Sequence, residues 1–175
     1  MTHERDPNNP DNATPKDEQR TPPSLFRRLD NRFHFALDAS ATPENSLCQF
    51  CWTKETNALL QEWHKLPGMN TNPKVYCNPP YSRGKILPFV KKGYYESLKG
   101  ATVVMLLPAD ISTGWWDWCM FASEWIRVKG RVKFHNVDGT PSKGSPKFGS
   151  IVVVFDAKQK RKNDGQLIVS EMGWD

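Results

Sequence analysis

Residues 74–108, KVYCNPPYSRGKILPFVKKGYYESLKGATVVMLLP, contain the pattern that decides the fold. Lys74–Cys77 predicts a short strand, and apolar residues at helical spacing predict a helix over Ile86–Lys99 that stops at Gly100. The residues expected to face inward from this helix are Leu87, Val90, Tyr94 and Leu98. Ala101–Leu107 is a nearly continuous apolar run, typical of a strand in a parallel sheet that helices cover on both faces. A strand, a helix and a strand in this order indicate an α/β sheet.

The segment before this unit predicts two helices and one further strand. Thr21-Pro22 has the pattern of a helix N-cap followed by a first-turn proline, and Leu25, Phe26, Leu29 and Phe33 follow at helical spacing. Residues 33–37 alternate between apolar and polar positions and predict a strand that Asp38 closes. A second helix is predicted over residues 53–66. Residues 1–20 are polar with three prolines, which predicts a disordered tail before a single domain at 21–175.

The chain beyond residue 108 is richer in strands than in helices. A tryptophan-rich helix is predicted near Trp115–Ala122. The predicted strands are Glu124–Val128, Arg131–His135 and Ile151–Phe155, with one more at Leu167–Ser170. We expect the last strands to pair antiparallel onto one edge of the sheet. The whole pattern predicts a three-layer α/β/α domain with a mixed sheet.

Composition and charge narrow the classes of partner and compartment. The formal net charge is +5, and residues 83–147 carry eleven bases against five acids. Such a stretch fits either a phosphate-bearing partner or solvated helix faces. Apolar runs are too short to cross a bilayer, and four cysteines without a disulfide pattern suit a reducing compartment, so a cytoplasmic protein is expected. Cys48 and Cys51 raise the question of zinc, with His64 and Cys77 as conceivable ligands, but no second close pair supports a metal site.

Asn78-Pro79-Pro80-Tyr81 follows a strand directly, at the end where open parallel sheets bind ligands. An aromatic amine is a poor nucleophile because its lone pair is delocalised into the ring. Two acceptors for its N–H groups, the Asn78 amide oxygen and the Pro79 carbonyl, would favour the geometry and charge that develop during attack. Pro80 helps to fix the backbone, and Tyr81 offers a flat face on which a flipped-out base can stack. These four residues are the predicted catalytic residues.

The chain also resembles the phage-type DNA N6-adenine methyltransferases over residues 21–155. The similar segments are Thr21-Pro22 with Leu25-Phe26 and Leu29, Phe35 to Ala39, Cys77 to Ser82, Pro88 to Lys92, Val104 to Pro108, Trp115-Trp116, Gly130 to Phe134, and Gly149-Ser150. The resemblance implies a Rossmann-like class I methyltransferase fold with no separate target-recognition domain. It implies double-stranded DNA as the partner, with N6 of a flipped-out adenine as the acceptor.

The resemblance further implies S-adenosyl-L-methionine as the cofactor, held by Thr21, Pro22, Asp38 and Ala39. Asp38 could accept hydrogen bonds from the cofactor's ammonium or ribose. Two departures from the pattern stand out. Ala39-Ser40-Ala41 replaces a glycine-rich loop, and Asn57 stands where relatives tend to have Asp.

Several residues and several functions stay open between two interpretations. Arg83 and Lys85 follow residues 78–81, which we call the catalytic box. They either contact DNA phosphates or belong to a solvated face. Trp115, Trp116 and Trp118 are expected mostly to pack in the core, whereas Lys143 and Lys147 lie in a glycine-rich loop that could cover the site. Loops 109–123 and 136–149 would supply sequence recognition. The alternative functions are methylation of cytosine N4, methylation of protein glutamine N5, and catalytically inactive DNA binding.

Overall fold

A computed structural model describes residues 17–143 and 146–173. The helices are α1 (Pro23–Phe33), α2 (Ile86–Leu98), α3 (Trp116–Cys119) and α4 (Ala157–Lys162), with a short 3-10 helix at Ala58–Leu60. The strands are β1 (Leu37–Asp38), β2 (Phe50–Cys51), β3 (Lys74–Cys77), β4 (Thr102–Pro108), β5 (Glu124–Val128), β6 (Ser150–Phe155) and β7 (Ile168–Met172). None of the helices in these ranges is long and apolar enough to cross a membrane. Because it contains both helices and strands, the chain is a mixed α/β protein.

The strands form a single mixed sheet with the order β2-β1-β3-β4-β6-β5-β7. β2, β1, β3 and β4 run parallel to one another, and β5 runs parallel to β7. β6 is antiparallel to both β4 and β5, between which it lies. As expected, the last strands add to one side of the parallel strands, where β6 pairs antiparallel with β4. β6 nevertheless lies inside the sheet because β5 and β7 follow it, and the edge strand β7 runs parallel to β5.

Two apolar clusters lie on opposite faces of the sheet, as period-two alternation of side chains requires. On one face, Leu25, Phe26 and Leu29 of α1 pack with Tyr76 and Val104. The other cluster joins α2 and α3 to the alternate strand residues, among them Val75, Cys77, Val103, Met105 and Phe155. β4 is buried along its whole length, as predicted from its apolar run. Both faces of the sheet are thus covered over its central strands.

The boundaries of α1 differ from the predicted ones at both ends. Pro22 is the N-cap and makes no side-chain capping bond, whereas the Thr21 hydroxyl lies 2.6 Å from the Tyr76 hydroxyl. The helix ends because His34 adopts a left-handed conformation, with φ of 57°. The predicted strand over residues 33–37 is consequently reduced to Leu37–Asp38.

The helix predicted over residues 53–66 is wrong, and only the 3-10 helix at Ala58–Leu60 is present there. Asn57 has φ of 49°, and the backbone N–H groups of Trp63 and His64 both donate to the Glu96 carboxylate, each at 3.0 Å. A distant carboxylate therefore satisfies backbone groups that a helix would have bonded internally. Trp63 is fully buried, as its apolar character suggested.

Two other predicted features are wrong, and one helix was not predicted. Arg131–His135 is not a strand of the sheet, although Val132 and Phe134 are buried; His135 makes only isolated bridges, to Arg20 and Pro141. Leu98 of α2 is exposed, and Glu96 is buried in its place. α4 was not predicted; it begins where the Asp156 carboxylate accepts the backbone N–H groups of two following residues.

The predicted disordered tail falls mostly on residues 1–16, which lie outside the described residues. Residues 17–20 belong to the described part, and Arg20 forms an antiparallel bridge with His135. The folded region therefore includes residues before Thr21.

Candidate active site

The candidate site lies where β1 and β3 end side by side. The two strands are parallel, with Asp38 opposite Tyr76, and the Ala39 backbone N–H donates to the Tyr76 carbonyl at 2.8 Å. β3 ends at Cys77, so Asn78 is the first residue beyond the carboxyl edge. The same register brings Asp38 and the predicted catalytic residues 78–81 to one edge of the sheet.

Asn78 carries the most informative polar group of this edge. Its Nδ2 donates to the Gln19 carbonyl at 3.4 Å. Its Oδ1 is buried and has no hydrogen-bond partner among the residues that the structure describes. A buried acceptor without a donor costs on the order of 1–3 kcal/mol, and a donor from outside these residues would offset that cost. An exocyclic amino group is such a donor.

Tyr81 is held by strand and ring contacts rather than lying free in a loop. Its hydroxyl donates to the Leu106 carbonyl of β4 at 2.9 Å. Its ring makes edge contacts with Phe134 and Phe148 at centroid distances of 6.0 and 5.9 Å. Burial, followed by the nearby Cys77, raises the pKa of Tyr81 well above its usual value, so the hydroxyl remains a donor. The orientation of the ring is therefore fixed before any ligand binds.

The four candidate cofactor residues converge on the end of β3. Thr21 contacts the Tyr76 side chain, Asp38 and Ala39 pair with the Tyr76 backbone, and Pro22 precedes α1; all four are buried. Burial raises the pKa of Asp38 to about 6, against the lowering effect of backbone N–H groups from Ser40 and Leu47. A buried carboxyl with a raised pKa has capacity for further donors. The residue set fits a cofactor that bears ammonium or hydroxyl groups.

Residues 17–20 were missed by the sequence interpretation. The Asp17 carboxylate accepts hydrogen bonds from both the backbone N–H and the hydroxyl of Ser82, the residue after Tyr81. The Gln19 carbonyl reaches Asn78, and Arg20 pairs with His135. No local signal in the polar, proline-rich sequence predicts these contacts, because Asp17 and Gln19 reach partners about 60 residues away and the partner of Arg20 is farther still.

The basic residues and tryptophans are divided between surface and core. Arg83 and Lys85 are exposed beside the box, and the Lys85 ammonium lies 4.0 Å from the Asp17 carboxylate. Trp115 and Trp116 are buried, which agrees with the packing interpretation, whereas Trp118 is half-buried under Lys91. Lys143 and Lys147 are exposed and flank two residues outside the described ranges.

Cys48 and Cys51, the conceivable zinc ligands, both lie within residues 17–143 and 146–173, which the structure describes. Cys48 and Cys51 are half-buried, but no group of three His, Cys, Asp or Glu side chains in these ranges could hold a metal ion. Burial, and then the Asp38 and Asp30 carboxylates, raise the pKa of the Cys48 thiol.

Comparison with known proteins gives consistent matches. The sequence profile of the DNA N-6-adenine-methyltransferase (Dam) family matches residues 9–170. A protein named DNA N-6-adenine-methyltransferase from Escherichia phage T1 is 41% identical over 96 residues, which cover 54% of this chain and 37% of that protein. A protein of the same name from Haemophilus phage HP1 (strain HP1c1) is 33% identical over 150 residues, which cover 82% of this chain and 80% of that protein. The similar region of the phage T1 protein is thus well under half of its length.

Proposed function

This chain belongs to the DNA N-6-adenine-methyltransferase (Dam) family, and we propose that it transfers a methyl group from S-adenosyl-L-methionine to N6 of an adenine flipped out of double-stranded DNA. The observation that carries the proposal is the buried Asn78 Oδ1, an acceptor without a protein donor at the carboxyl end of β3. Dinucleotide and nucleoside ligands bind at this edge in open α/β sheets. The family and the geometry therefore agree on one reaction class.

The catalytic step follows from the electronic structure of the amine. Asn78 Oδ1 and the Pro79 carbonyl accept the two N–H groups of N6, which withdraws the nitrogen lone pair from the adenine ring. They also stabilise the positive charge that develops on the nitrogen as its new bond to carbon forms. The fixed ring of Tyr81 gives the flipped base a surface for stacking, which offsets part of the cost of unstacking it. The extra proton then leaves the nitrogen for water.

Thr21, Pro22, Asp38 and Ala39 are the residues that would hold the cofactor. When bound, S-adenosyl-L-methionine would supply an electrophilic methyl group, and its sulfur would keep the electron pair of the broken sulfur–carbon bond and leave as a neutral thioether. Asp38 would accept hydrogen bonds from its ammonium or ribose hydroxyls, which stabilises the charged carboxylate that burial alone disfavours. Thr21 and Ala39 fix the neighbouring backbone through their bonds to Tyr76.

We also propose that the sheet is a Rossmann-like class I methyltransferase sheet within three α/β/α layers. Support comes from the two apolar clusters, with α1 on one face and α2 with α3 on the other. The interior antiparallel strand β6 completes a mainly parallel sheet. Arg83 and Lys85, exposed beside the catalytic box, would contact DNA phosphates.

The function is tested by incubating the protein with tritiated S-adenosyl-L-methionine and unmethylated duplex DNA, followed by nucleoside analysis. We expect N6-methyladenine as the labelled product. Asn78→Ala should lower the turnover number by at least about 100-fold, because an acceptor for the developing charge is lost, while DNA affinity is kept. Asn70→Ala, at an exposed asparagine in a loop, is the matched control. Labelled N4-methylcytosine, labelled protein glutamine, or an active Asn78→Ala variant would contradict the proposal.

A further inference from the structure

Residues 17–20 lie against the loop that follows β3, and both ends of this short segment are fixed. At one end, the Arg20 N–H donates to the His135 carbonyl and the His135 N–H donates to the Arg20 carbonyl, both at 2.9 Å. At the other end, Asp17 contacts Ser82. A segment held at both ends has a defined position relative to Asn78.

The Asp17 carboxylate is the stronger of these two attachments. Its side chain is only 5% exposed. Oδ1 accepts the Ser82 backbone N–H at 2.8 Å, and Oδ2 accepts the Ser82 hydroxyl. Hydrogen bonds to a charged acceptor are roughly twice as strong as neutral ones, and the Lys85 ammonium at 4.0 Å adds attraction. Asp17 therefore fixes the position of the residue that directly follows Tyr81.

The contact between Gln19 and Asn78 determines which way the Asn78 amide points. The Gln19 carbonyl is an acceptor, so only Nδ2 of the amide can face it, at 3.4 Å. Oδ1 is then directed away from this segment, and it is the oxygen without a donor among the described residues. An amide turned by 180° would present two donors to an incoming amine and would repel it.

We propose that Asp17 is a positioning residue for the methyl transfer. By joining residues 17–20 to Ser82, it holds the Gln19 carbonyl where it orients the Asn78 amide, so that Oδ1 accepts the substrate amine. The inference rests on the proposed function, because it assigns a role within the same site. It differs from the catalytic role of the box itself, since Asp17 acts only through Ser82 and Asn78.

The test compares Asp17→Ala and Asp17→Asn with a neighbouring control. Glu18→Ala removes an exposed carboxylate of the same segment. We expect Asp17→Ala to lower kcat about 10-fold to 100-fold, with KM for DNA and the affinity for S-adenosyl-L-methionine kept within about twofold. Asp17→Asn, which keeps one oxygen acceptor, should be intermediate, and Glu18→Ala should be unchanged.

Amide hydrogen exchange gives a readout that does not depend on activity. The Ser82 N–H should exchange faster in Asp17→Ala than in the parent protein or in Glu18→Ala, because its acceptor is lost. An unchanged kcat, an unchanged exchange rate at Ser82, or a proportional loss of both binding affinities would overturn the positioning role. So would faster turnover, which would mean that the segment blocks the site. A parent protein that makes no N6-methyladenine would refute the proposed function instead, and the exchange measurement would still test the anchor.

Discussion

Asp38 combines full burial with a charge that depends on pH in an accessible range. Its pKa is raised to about 6, first by burial, so below pH 6 the free protein holds this carboxyl mostly protonated. If the cofactor donates hydrogen bonds to the carboxylate, binding below pH 6 requires the loss of that proton. Affinity for S-adenosyl-L-methionine should then be nearly constant above about pH 7 and fall by up to about tenfold for each pH unit below pH 6.

Calorimetric titration between pH 5 and pH 7 measures this dependence. Asp38→Asn is the control, since its neutral amide cannot titrate and any remaining slope belongs to the ligand or to other groups. We expect weaker but nearly pH-independent binding by this variant. A parent protein with the same flat profile would show that the Asp38 carboxylate does not receive the cofactor.

Single residues also show which parts of the proposed site could be predicted from the sequence. The box at residues 78–81 stays a prediction; it could be proposed from the sequence because its chemistry is local: an amide, two prolines and a ring directly after a strand. Asp38 could be placed because a strand ended there. Asp17 could not, because its partner Ser82 is 65 residues away and a polar acidic segment has the composition of a tail.

Among the elements, the segment before β3 depends on one buried carboxylate of α2. Burial alone would raise the pKa of Glu96, but hydrogen bonds from Lys92 and His64 lower it to about 2. The same carboxylate accepts the backbone N–H groups of Trp63 and His64. Because the pKa in the folded protein is below its usual value of 4.5, the stabilisation is present above pH 4.5 and is lost as pH falls toward 2.

Glu96→Gln should therefore lower the free energy of unfolding by about 2 kcal/mol at pH 7, since it removes the charge from several charge-assisted bonds. The difference from the parent protein should shrink when both are unfolded near pH 3. Glu62→Gln, at an exposed partner of His64 and Lys65, should change stability by less than about 1 kcal/mol and serves as the control. Equal effects of the two substitutions at neutral pH would contradict this account, and thermal unfolding with circular dichroism is the measurement.

α2 and β4 could be predicted from their sequences, whereas the absence of a helix over residues 53–66 could not. α2 and β4 carry their own periodicity, which survives in the fold because their apolar residues face two large clusters. Residues 53–66 carry a similar apolar spacing, but Glu96 takes backbone donors that helical bonds would need. The position of β6 in the sheet could not be predicted either. Nothing in the sequence of Ile151–Phe155 indicates that this strand lies between β4 and β5 rather than at an edge.

Across the whole molecule, basic residues occur at both ends of the strands of the sheet, and one end carries the proposed catalytic residues 78–81. Arg83 and Lys85 are exposed beside Asn78, at the carboxyl edge of the parallel strands. α4 follows β6, which is antiparallel and ends at Phe155 opposite Val103 near the start of β4. Its exposed Arg161 and Lys162 therefore lie at the other edge. Under the proposed function, we expect DNA that presents a base to Asn78 to contact the first pair and not the second.

A double variant of each pair removes the same charge from opposite ends and so separates local contacts from net charge. Arg83→Ala with Lys85→Ala should weaken binding of unmethylated duplex DNA, and should reduce the slope of log affinity against log salt by about 0.9 for each lost phosphate contact. Arg161→Ala with Lys162→Ala should shift affinity only slightly, through long-range attraction that salt screens. Fluorescence anisotropy across a range of salt concentrations measures both slopes. A larger change in slope for the α4 pair would place the duplex at the amino edge of the sheet, where an adenine could not reach the Asn78 amide.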